Sequence, residues 1–281
     1  MDDSIKDDSK SLYMDLMKKC LTYYLWGETS EYVDPTTVLP FKNSFIVNKL
    51  VKYLESHNLE LMRKFNFDPK KREMGRDFPP LADTMIGLKR LDNIQVCVED
   101  VIKKNIPGDL IETGVWRGGG SIFMRAILKA YGITDRIVWV ADSFEGLPQP
   151  DSEKYPHDAG DIHHTINFLA VSFDQVKANF AKYNLLDGQV KFLKGWFKDI
   201  LPVASIDRLA VIRLDGDMYE STMDGLKNLY PKLSSGGYVI VDDYALEGCR
   251  IAVHDFRSDH DINDEIIDID GIGAYWQHAG K

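Results

Sequence analysis

Two apolar runs constrain this chain most: Leu209-Ala210-Val211-Ile212 and Tyr238-Val239-Ile240-Val241. Neither alternates polar with apolar, so both read as strands buried on two faces, the pattern of a parallel sheet. Each leads into acid. Arg213 and Leu214 carry the first run to Asp215, and the second runs directly into Asp242 and Asp243. Open α/β sheets bind ligands beyond the carboxyl ends of their strands, so three carboxylates converge at a ligand edge. A single strand-end Asp is ordinarily a helix cap or a turn residue. An adjacent pair plus a third reads instead as a site for a hard divalent cation such as Mg²⁺ or Ca²⁺, which takes oxygen ligands.

The chain around these runs alternates strand with helix. Strands are expected at 110–112, 137–141, 190–193, 209–214 and 238–241, with short candidates at 265–269 and 273–277. Helices are expected at 121–130, 173–184, 220–233 and 247–258. That order predicts an α/β fold with right-handed crossovers. Residues 1–90 differ. After a polar tail over 1–8, helical spacing recurs at 9–26, 44–62 and 83–105, with Gly87 as a break and loops carrying Pro35, Pro40 and Asp77-Phe78-Pro79-Pro80. The expected organisation is a helical N-terminal cap or lid (1–90) on a ligand-binding domain (91–281).

Charge and cysteine usage remove other classes. A net charge of −10 argues against nucleic acid, which needs clustered Lys and Arg. The one basic cluster, Lys70-Lys71-Arg72 with Arg76, reads as solvated surface. Cys20, Cys97 and Cys249 form no CxxC pair, so neither zinc nor a disulfide framework is suggested. Cys97 and Cys249 fall in apolar helical patterns and read as packing. The acidic start Met1-Asp2-Asp3-Ser4 is not a signal peptide, and no stretch has the length of a membrane span, so a soluble, cytoplasmic protein is expected.

The first strand enters the loop Gly114-Val115-Trp116-Arg117-Gly118-Gly119-Gly120, and Ser121 is placed to cap the helix that follows. Glycines between a strand and a helix bring backbone close to a ligand. The spacing misses the G-x-G-x-x-G dinucleotide pattern, and no phosphate-binding G-x-x-x-x-G-K-[ST] occurs. Glu112, two residues before the first glycine, suits the amino group and sulfonium of S-adenosylmethionine. Asp142 ends the next strand, where such acids accept hydrogen bonds from a ribose diol. Trp116 serves equally as a stacking surface or as a plug into the core. Tyr23, Tyr24 and Trp26 read as docking aromatics, and His163-His164 as solvated loop residues.

Five stretches, in this order, resemble the macrocin O-methyltransferase family: Thr84-Met85-Ile86-Gly87-Leu88-Lys89-Arg90-Leu91-Asp92-Asn93, Glu112-Thr113-Gly114-Val115-Trp116-Arg117-Gly118-Gly119, Asp142-Ser143-Phe144-Glu145-Gly146-Leu147-Pro148, Leu214-Asp215-Gly216-Asp217-Met218-Tyr219-Glu220-Ser221-Thr222 and Val241-Asp242-Asp243-Tyr244. The resemblance runs from about residue 80 to the C-terminus. It implies a class I SAM-dependent methyltransferase fold, a seven-stranded Rossmann-like sheet, mostly parallel, whose last strand is antiparallel. It implies S-adenosylmethionine and a divalent metal, usually Mg²⁺. The metal ligands fall on Asp215, Asp242 and Asp243. The cofactor site falls on Thr84 and Met85, on Glu112, Thr113, Gly114, Val115, Trp116, Arg117, Gly118, Gly119 and Ser121, on Asp142, Ser143 and Phe144, on Gly195, Trp196 and Phe197, and on Asp215. The tail Gln277-His278-Ala279-Gly280-Lys281 departs from the family, whose members more often carry basic residues after the Tyr-Trp.

The reaction expected is methyl transfer from a sulfonium to a hydroxyl of a sugar-bearing natural product. Asp215 is the candidate general base, with Asp217 and Glu220 as rival acids that also suit capping. A catechol-type O-methyltransferase shares the metal logic. A nicotinamide oxidoreductase would use a similar sheet, and a non-catalytic SAM or nucleotide binder would have no need of the aspartates. The long N-terminal helices suit either a lid or the interface of a homo-oligomer.

Overall fold

Five of the apolar runs form parallel strands, and their order brings the acids to one edge. The computed structural model describes residues 3–27, 29–33, 45–65, 67–77 and 79–280; Pro35, Pro40 and Phe78 lie outside them. In chain order the elements are α1 (Asp3–Leu21), β1 (Thr29–Tyr32), α2 (Phe45–Ser56), β2 (Met62–Phe65), α3 (Pro69–Glu73), α4 (Gly87–Lys103), β3 (Asp109–Thr113), α5 (Gly119–Ala130), β4 (Val138–Asp142), α6 (Phe173–Lys182), β5 (Val190–Lys194), α7 (Phe197–Ile200), β6 (Leu209–Leu214), α8 (Tyr219–Leu229), β7 (Leu233–Val241), α9 (Glu247–Asp259), β8 (Ile267–Asp268) and β9 (Ala274–Gln277).

The seven-stranded sheet has the order β5-β4-β3-β6-β7-β9-β8. The pairs from β5 across to β7 are parallel, and β9 runs antiparallel between β7 and β8. This is the class I methyltransferase sheet with one reversed strand near its edge. Ladder bonds continue past the strand ends: Gly114 N–H to Ala141 O (2.9 Å), Asp215 N–H to Thr113 O (2.9 Å), Asp242 N–H to Leu214 O (2.8 Å) and Gly195 N–H to Asp142 O (2.9 Å). The four loops that carry site residues therefore leave the sheet in register.

Side chains alternate between the two faces of a strand. On one face Leu110, Val211 and Ile240 pack with Leu91, Ile94 and Val98 of α4 and with α5. On the other, Ile111, Ile212 and Val241 pack with Leu226 of α8 and Phe256 of α9. Glu112 pairs with Arg213 in the β3–β6 register, so both continue the first face. Two residues further along their strands, Asp215 follows Arg213 and Asp242 follows Ile240 on that same face. A row of charge thus replaces the apolar row where the sheet reaches its carboxyl edge.

The N-terminal segment is not purely helical. β1 and β2 form a two-stranded antiparallel sheet, and helix α1 starts at Asp3, inside the stretch expected to be a frayed tail. The 90/91 boundary falls inside α4. Gly87 begins that helix at φ +76°, where a Cβ would overlap the Gly75 backbone nitrogen. Arg72, read as solvated, is buried: its Nε reaches both oxygens of Asp77 at 2.9 and 2.8 Å, and its Nη1 bonds the Thr22 carbonyl. Tyr23 stacks on Trp26 and Tyr24 meets Phe67 edge to face, so these aromatics pack on their own segment. All three cysteines are free, with Cys97 and Cys249 in the core. Among the described residues no helix is long and apolar enough to cross a membrane.

Candidate active site

A cavity of about 1060 Å³ opens at the carboxyl edge. A single drug-sized ligand occupies roughly 300–1,000 Å³ pockets, so there is room for a cofactor and part of an acceptor together. Thr84, Met85, Glu112, Gly114, Val115, Trp116, Asp142, Ser143, Gly195, Trp196, Phe197, Asp215, Asp242 and Asp243 line it, as the sequence places them. Thr113, Arg117, Gly118, Gly119, Ser121 and Phe144 do not. They stand behind the wall. Phe144 packs on Phe173 and Phe192, Arg117 Nη1 bonds the carbonyls of Pro80 (2.7 Å) and Ala82 (2.8 Å), and Gly119 N–H bonds the Asp83 carbonyl (3.0 Å). Ser121 does not cap α5. The cap is Gly118, at φ 87°, and the Ser121 hydroxyl donates to Glu112 Oε2.

The glycine loop has a physical reason at Gly114. Its φ is +81°, and a Cβ there would run into the Asp215 carbonyl, so only glycine lets the β3 and β6 loops touch. Asp142 braces the same loop. Its Oδ2 accepts the Val115 N–H at 2.7 Å and its Oδ1 accepts the Phe144 N–H at 2.6 Å. Burial pushes the Asp142 carboxyl up, against these hydrogen bonds. Trp116 is neither a plug nor free: its indole N–H bonds the Phe168 carbonyl at 2.9 Å, and the Arg117 guanidinium lies 4.3 Å from its ring centre.

Arg213 is the hub of the acidic face. Its Nη1 bonds Glu112 Oε1 and Asp215 Oδ2 (2.7 Å), and its Nη2 bonds Asp242 Oδ1. Burial alone would lower its pKa, but Asp215, Asp242 and Glu112 together raise it well above the ordinary value. Arg90, from α4, takes the other oxygen of Asp242 and lies 3.2 Å from Asp270 Oδ2. Arg90 lies inside one of the five family-like stretches, where the resemblance assigns it no role, and Arg213 lies just outside another. For Arg213 the available signal was an Arg inside an apolar strand, because a buried charge must be paired. Both Glu112 oxygens are engaged, by Arg213 and Ser121, and burial raises its pKa to about 7.

Asp215, Asp242 and Asp243 offer ligand oxygens within 4.8 Å of one another. Arg90 and Arg213 pair with four carboxylates at this edge, Glu112, Asp215, Asp242 and Asp270, and among the described residues neither Asp217 nor Asp243 has an ion pair. Asp243 is pushed well above the carboxylate range by burial and then by the charges of Asp217, Asp215 and Asp242. Burial and Asp215 lift Asp217 to about 7. An all-oxygen donor set with this excess of negative charge fits a hard divalent cation. Asp242 keeps lone pairs beyond those its arginines use.

Asp217, at φ 58°, lines the cavity beside Asp215, Asp242 and Asp243, and among the described residues no side chain hydrogen-bonds its carboxylate. Glu220 also lines the cavity, in the first turn of α8. His163 lines it as well while its side chain remains one-third exposed; His164 is exposed and does not line it.

Comparison with known proteins gives the family. The family described as Macrocin-O-methyltransferase (TylF) matches residues 10–278. The chain is 50% identical over 274 residues to the 8-demethyl-8-(2,3-dimethoxy-alpha-L-rhamnosyl)-tetracenomycin-C 4'-O-methyltransferase of Streptomyces olivaceus, covering 97% of this chain and 95% of that one. It is 50% identical over 278 residues to the demethyldecarbamoylnovobiocin O-methyltransferase of Streptomyces niveus, with the same coverage. The solved structure of the O-methyltransferase NovP superposes with a TM-score of 0.81 at 48% identity, over 96% of this chain and 100% of that one. The nicotinamide and pure-binder readings fall with these matches. The chain belongs to the macrocin O-methyltransferase family and is an S-adenosylmethionine-dependent O-methyltransferase.

Proposed function

We propose that this enzyme methylates a hydroxyl on the sugar of a glycosylated bacterial natural product, with a divalent cation, Mg²⁺ first, at Asp215, Asp242 and Asp243. The observation that carries the reading is that one cavity holds both the glycine-loop edge and the acidic cluster. Relatives at 50% identity are named for sugar-bearing antibiotics, which supports the acceptor class. Residues 1–90 would act as a cap, since Gly75, Arg76, Asp77, Pro80, Thr84 and Met85 close one side of the cavity.

S-Adenosylmethionine supplies an electrophilic methyl group, so the chain's task is alignment and removal of the acceptor's proton. A cation at the aspartates would lower the pKa of a hydroxyl bound to it. The glycine loop, braced by Asp142, would hold the nucleoside. Arg213 and Arg90 hold Asp215 and Asp242 in fixed orientation. The general-base role, which strand-end position alone gives to Asp215, fits Asp217 better. Asp215 has one oxygen on Arg213 and the other for the cation, while the Asp217 carboxylate is on the cavity wall with no side-chain hydrogen bond among the described residues. Asp217 would take the hydroxyl proton as the methyl group transfers.

The test is transfer of labelled methyl from S-adenosylmethionine to the rhamnosylated tetracenomycin, demethyldecarbamoylnovobiocin and a simple catechol, with EDTA or with Mg²⁺. Transfer to a glycoside, lost in EDTA and restored by Mg²⁺, is expected. Transfer to the catechol alone would overturn the acceptor class, and indifference to EDTA would remove the metal. Asp217→Asn is expected to abolish transfer while S-adenosylmethionine still binds.

A further inference from the structure

The strand order lays the cavity out along the edge of the sheet. β5 and β4 bring Trp196 and Asp142, β3 brings Glu112 and Gly114, β6 and β7 bring the three aspartates, and the turn before β9 brings Ile272. On the methyl-transfer reading above, the nucleoside takes the β5–β4 end and the reacting hydroxyl sits at the aspartates. The rest of the acceptor then has the β7–β9 end. Three segments close that end. Gly273 presses on the sheet so tightly that a Cβ there would lie 3.3 Å from the Val241 and Asp242 carbonyl oxygens. The Ala245 N–H bonds the Ile272 carbonyl at 2.9 Å, which ties the loop after β7 to the turn. Arg90 Nη2 reaches the Gly75 carbonyl at 3.4 Å and so brings Gly75 and Arg76 of the N-terminal segment to the same place.

The wall they make is apolar at Ala245, Leu246 and Ile272 and cationic at Arg76. Arg76 is the last residue of the basic cluster at 70–76, and it is exposed at the rim of the cavity. Its Nη2 donates to the Asp270 carbonyl at 3.3 Å, which anchors the guanidinium to the turn. Among the described residues no carboxylate pairs with it, because each acid beside it is already held. Asp77 accepts Arg72 Nε at 2.9 and 2.8 Å. Asp270 accepts the Ile272 and Gly273 N–H groups on Oδ1 (3.0 and 2.9 Å) and has Arg90 Nε 3.2 Å from Oδ2. Asp268 accepts the Gly271 N–H on both oxygens at 3.1 Å. The other arginine and the lysine on the wall do not serve this end: Arg90 bonds Asp242, and Lys198 follows Trp196 at the β5 end. A guanidinium carries its N–H donors in a rigid fork, and the Asp270 carbonyl takes only one of those of Arg76.

We propose that Arg76 selects the acceptor by its aglycone: the β7–β9 end takes an apolar aglycone, and the guanidinium pairs with an ionised oxygen that the aglycone carries, a carboxylate or an acidic enol or phenol. The donors left on Arg76 form a fork that matches a carboxylate. The apolar wall covers the body of the group, as ligand pockets combine apolar lining with a few placed polar atoms. The charge also answers the field of the cavity. Asp217 and Asp243, without ion pairs, would repel an anionic acceptor, so recognition of one needs a cation set apart from them. An ammonium group in the same place meets a like charge, so basic aglycones are disfavoured.

Binding tests this without turnover. Naphthalene-2-carboxylate and naphthalene-2-carboxamide share a ring system and differ by one charge. Each is titrated calorimetrically into the full chain with S-adenosylhomocysteine bound and Mg²⁺ present. The carboxylate is expected to bind at least about tenfold more tightly than the carboxamide, the scale of one charge-assisted hydrogen bond. In Arg76→Gln that ratio should fall to within about twofold through loss of carboxylate affinity alone, with the Kd for S-adenosylmethionine also held within about twofold. Arg76→Lys, which keeps the charge but not the fork, should fall between the two. A carboxylate no tighter than the carboxamide in the parent, absence of binding by both included, would overturn the proposal. So would a preference that survives Arg76→Gln, which would put the anion on the cation at the aspartates. The acceptor panel above fails separately. Transfer confined to the catechol would sink the sugar reading, and the aglycone with it, even beside a clear charge preference. Transfer to a glycoside beside equal binding of the two probes would sink the Arg76 assignment alone.

Discussion

Replacing Glu112 by Gln should change how stability responds to pH, because this acid is fully buried, lies outside the proposed cation site and has both oxygens engaged by Arg213 and Ser121. Its carboxyl is raised from 4.5 to about 7, mainly by burial, with Arg213 and Ser121 pulling it back. The folded value lies above the unfolded one, so the folded chain binds the proton more tightly. Stability from this group is therefore full below about pH 4.5 and is lost as pH rises through about 7. A shift of about 2.5 units at about 1.36 kcal/mol per unit makes the loss about 3 kcal/mol. The side chain is 2% exposed, so solvent screening takes little from that figure. The assay is urea unfolding of the parent and Glu112→Gln at pH 4.5, 6, 7 and 8 in EDTA, without cofactor. Gln has the shape of Glu and does not titrate, while Asp217 and Asp243 titrate in both proteins and largely cancel. The gap between the two stabilities should move by about 3 kcal/mol in favour of Gln between pH 4.5 and 8. Parallel curves would refute the reasoning: Glu112 would then stay ionised throughout, held by Arg213.

Two further changes test other joints of the site. Asp158→Ala removes the acceptor for two N–H groups at the start of α8 together with a favourable charge there, and should cost about 1–3 kcal/mol; hydrogen exchange should quicken over 151–170 and 219–222, and unchanged exchange would show that the loop is held elsewhere. Gly114→Ala forces a side chain into φ +81° and into the Asp215 carbonyl, so affinity for S-adenosylmethionine, read by calorimetry, should fall at least tenfold, roughly the effect of 1–2 kcal/mol of left-handed strain; wild-type affinity would mean that the loops need not touch.

The sheet was legible because parallel strands buried on both faces carry no alternation, and the runs at 110, 137, 190, 209 and 238 showed it plainly. The acids at 215, 242 and 243 were legible for the same reason: they interrupt such runs at their ends. What lay hidden depended on partners remote in sequence. Arg213 is opposite Glu112 only through the β3–β6 register, and Arg90 reaches Asp242 from across 152 positions. Ser121 has the right type for a cap, but its hydroxyl found a better acceptor in Glu112, and a left-handed glycine took the cap. Arg72 sits in a basic stretch that looks solvated, yet it is buried by the tertiary contact with Thr22 and Asp77. Local pattern gives the element; it does not say which charged side chain will be covered by another element.

The Arg213 hub also bears on how the two halves of the cavity work together. One guanidinium bonds Glu112 at the cofactor loop and Asp215 and Asp242 at the acidic cluster. A buried ion network is weak grounds for stability, because each charge must be stripped of water before pairing is gained. Its usefulness lies in geometry. A planar group with donors fixed in a fork sets the distance and orientation of each carboxylate it touches. The cofactor loop cannot shift without moving Glu112, and Glu112 cannot shift without loosening the hold on the aspartates. In a reaction limited by alignment of a methyl group with an oxygen, a small displacement costs rate steeply. A lysine at this position would keep the positive charge but lose the fork. The ordering expected for Arg213→Lys is therefore a folded protein, near-normal cofactor affinity and a kcat reduced at least about tenfold, the scale of such a misplacement. If turnover survives the exchange, charge balance is the whole of the residue's role and the shared geometry is incidental.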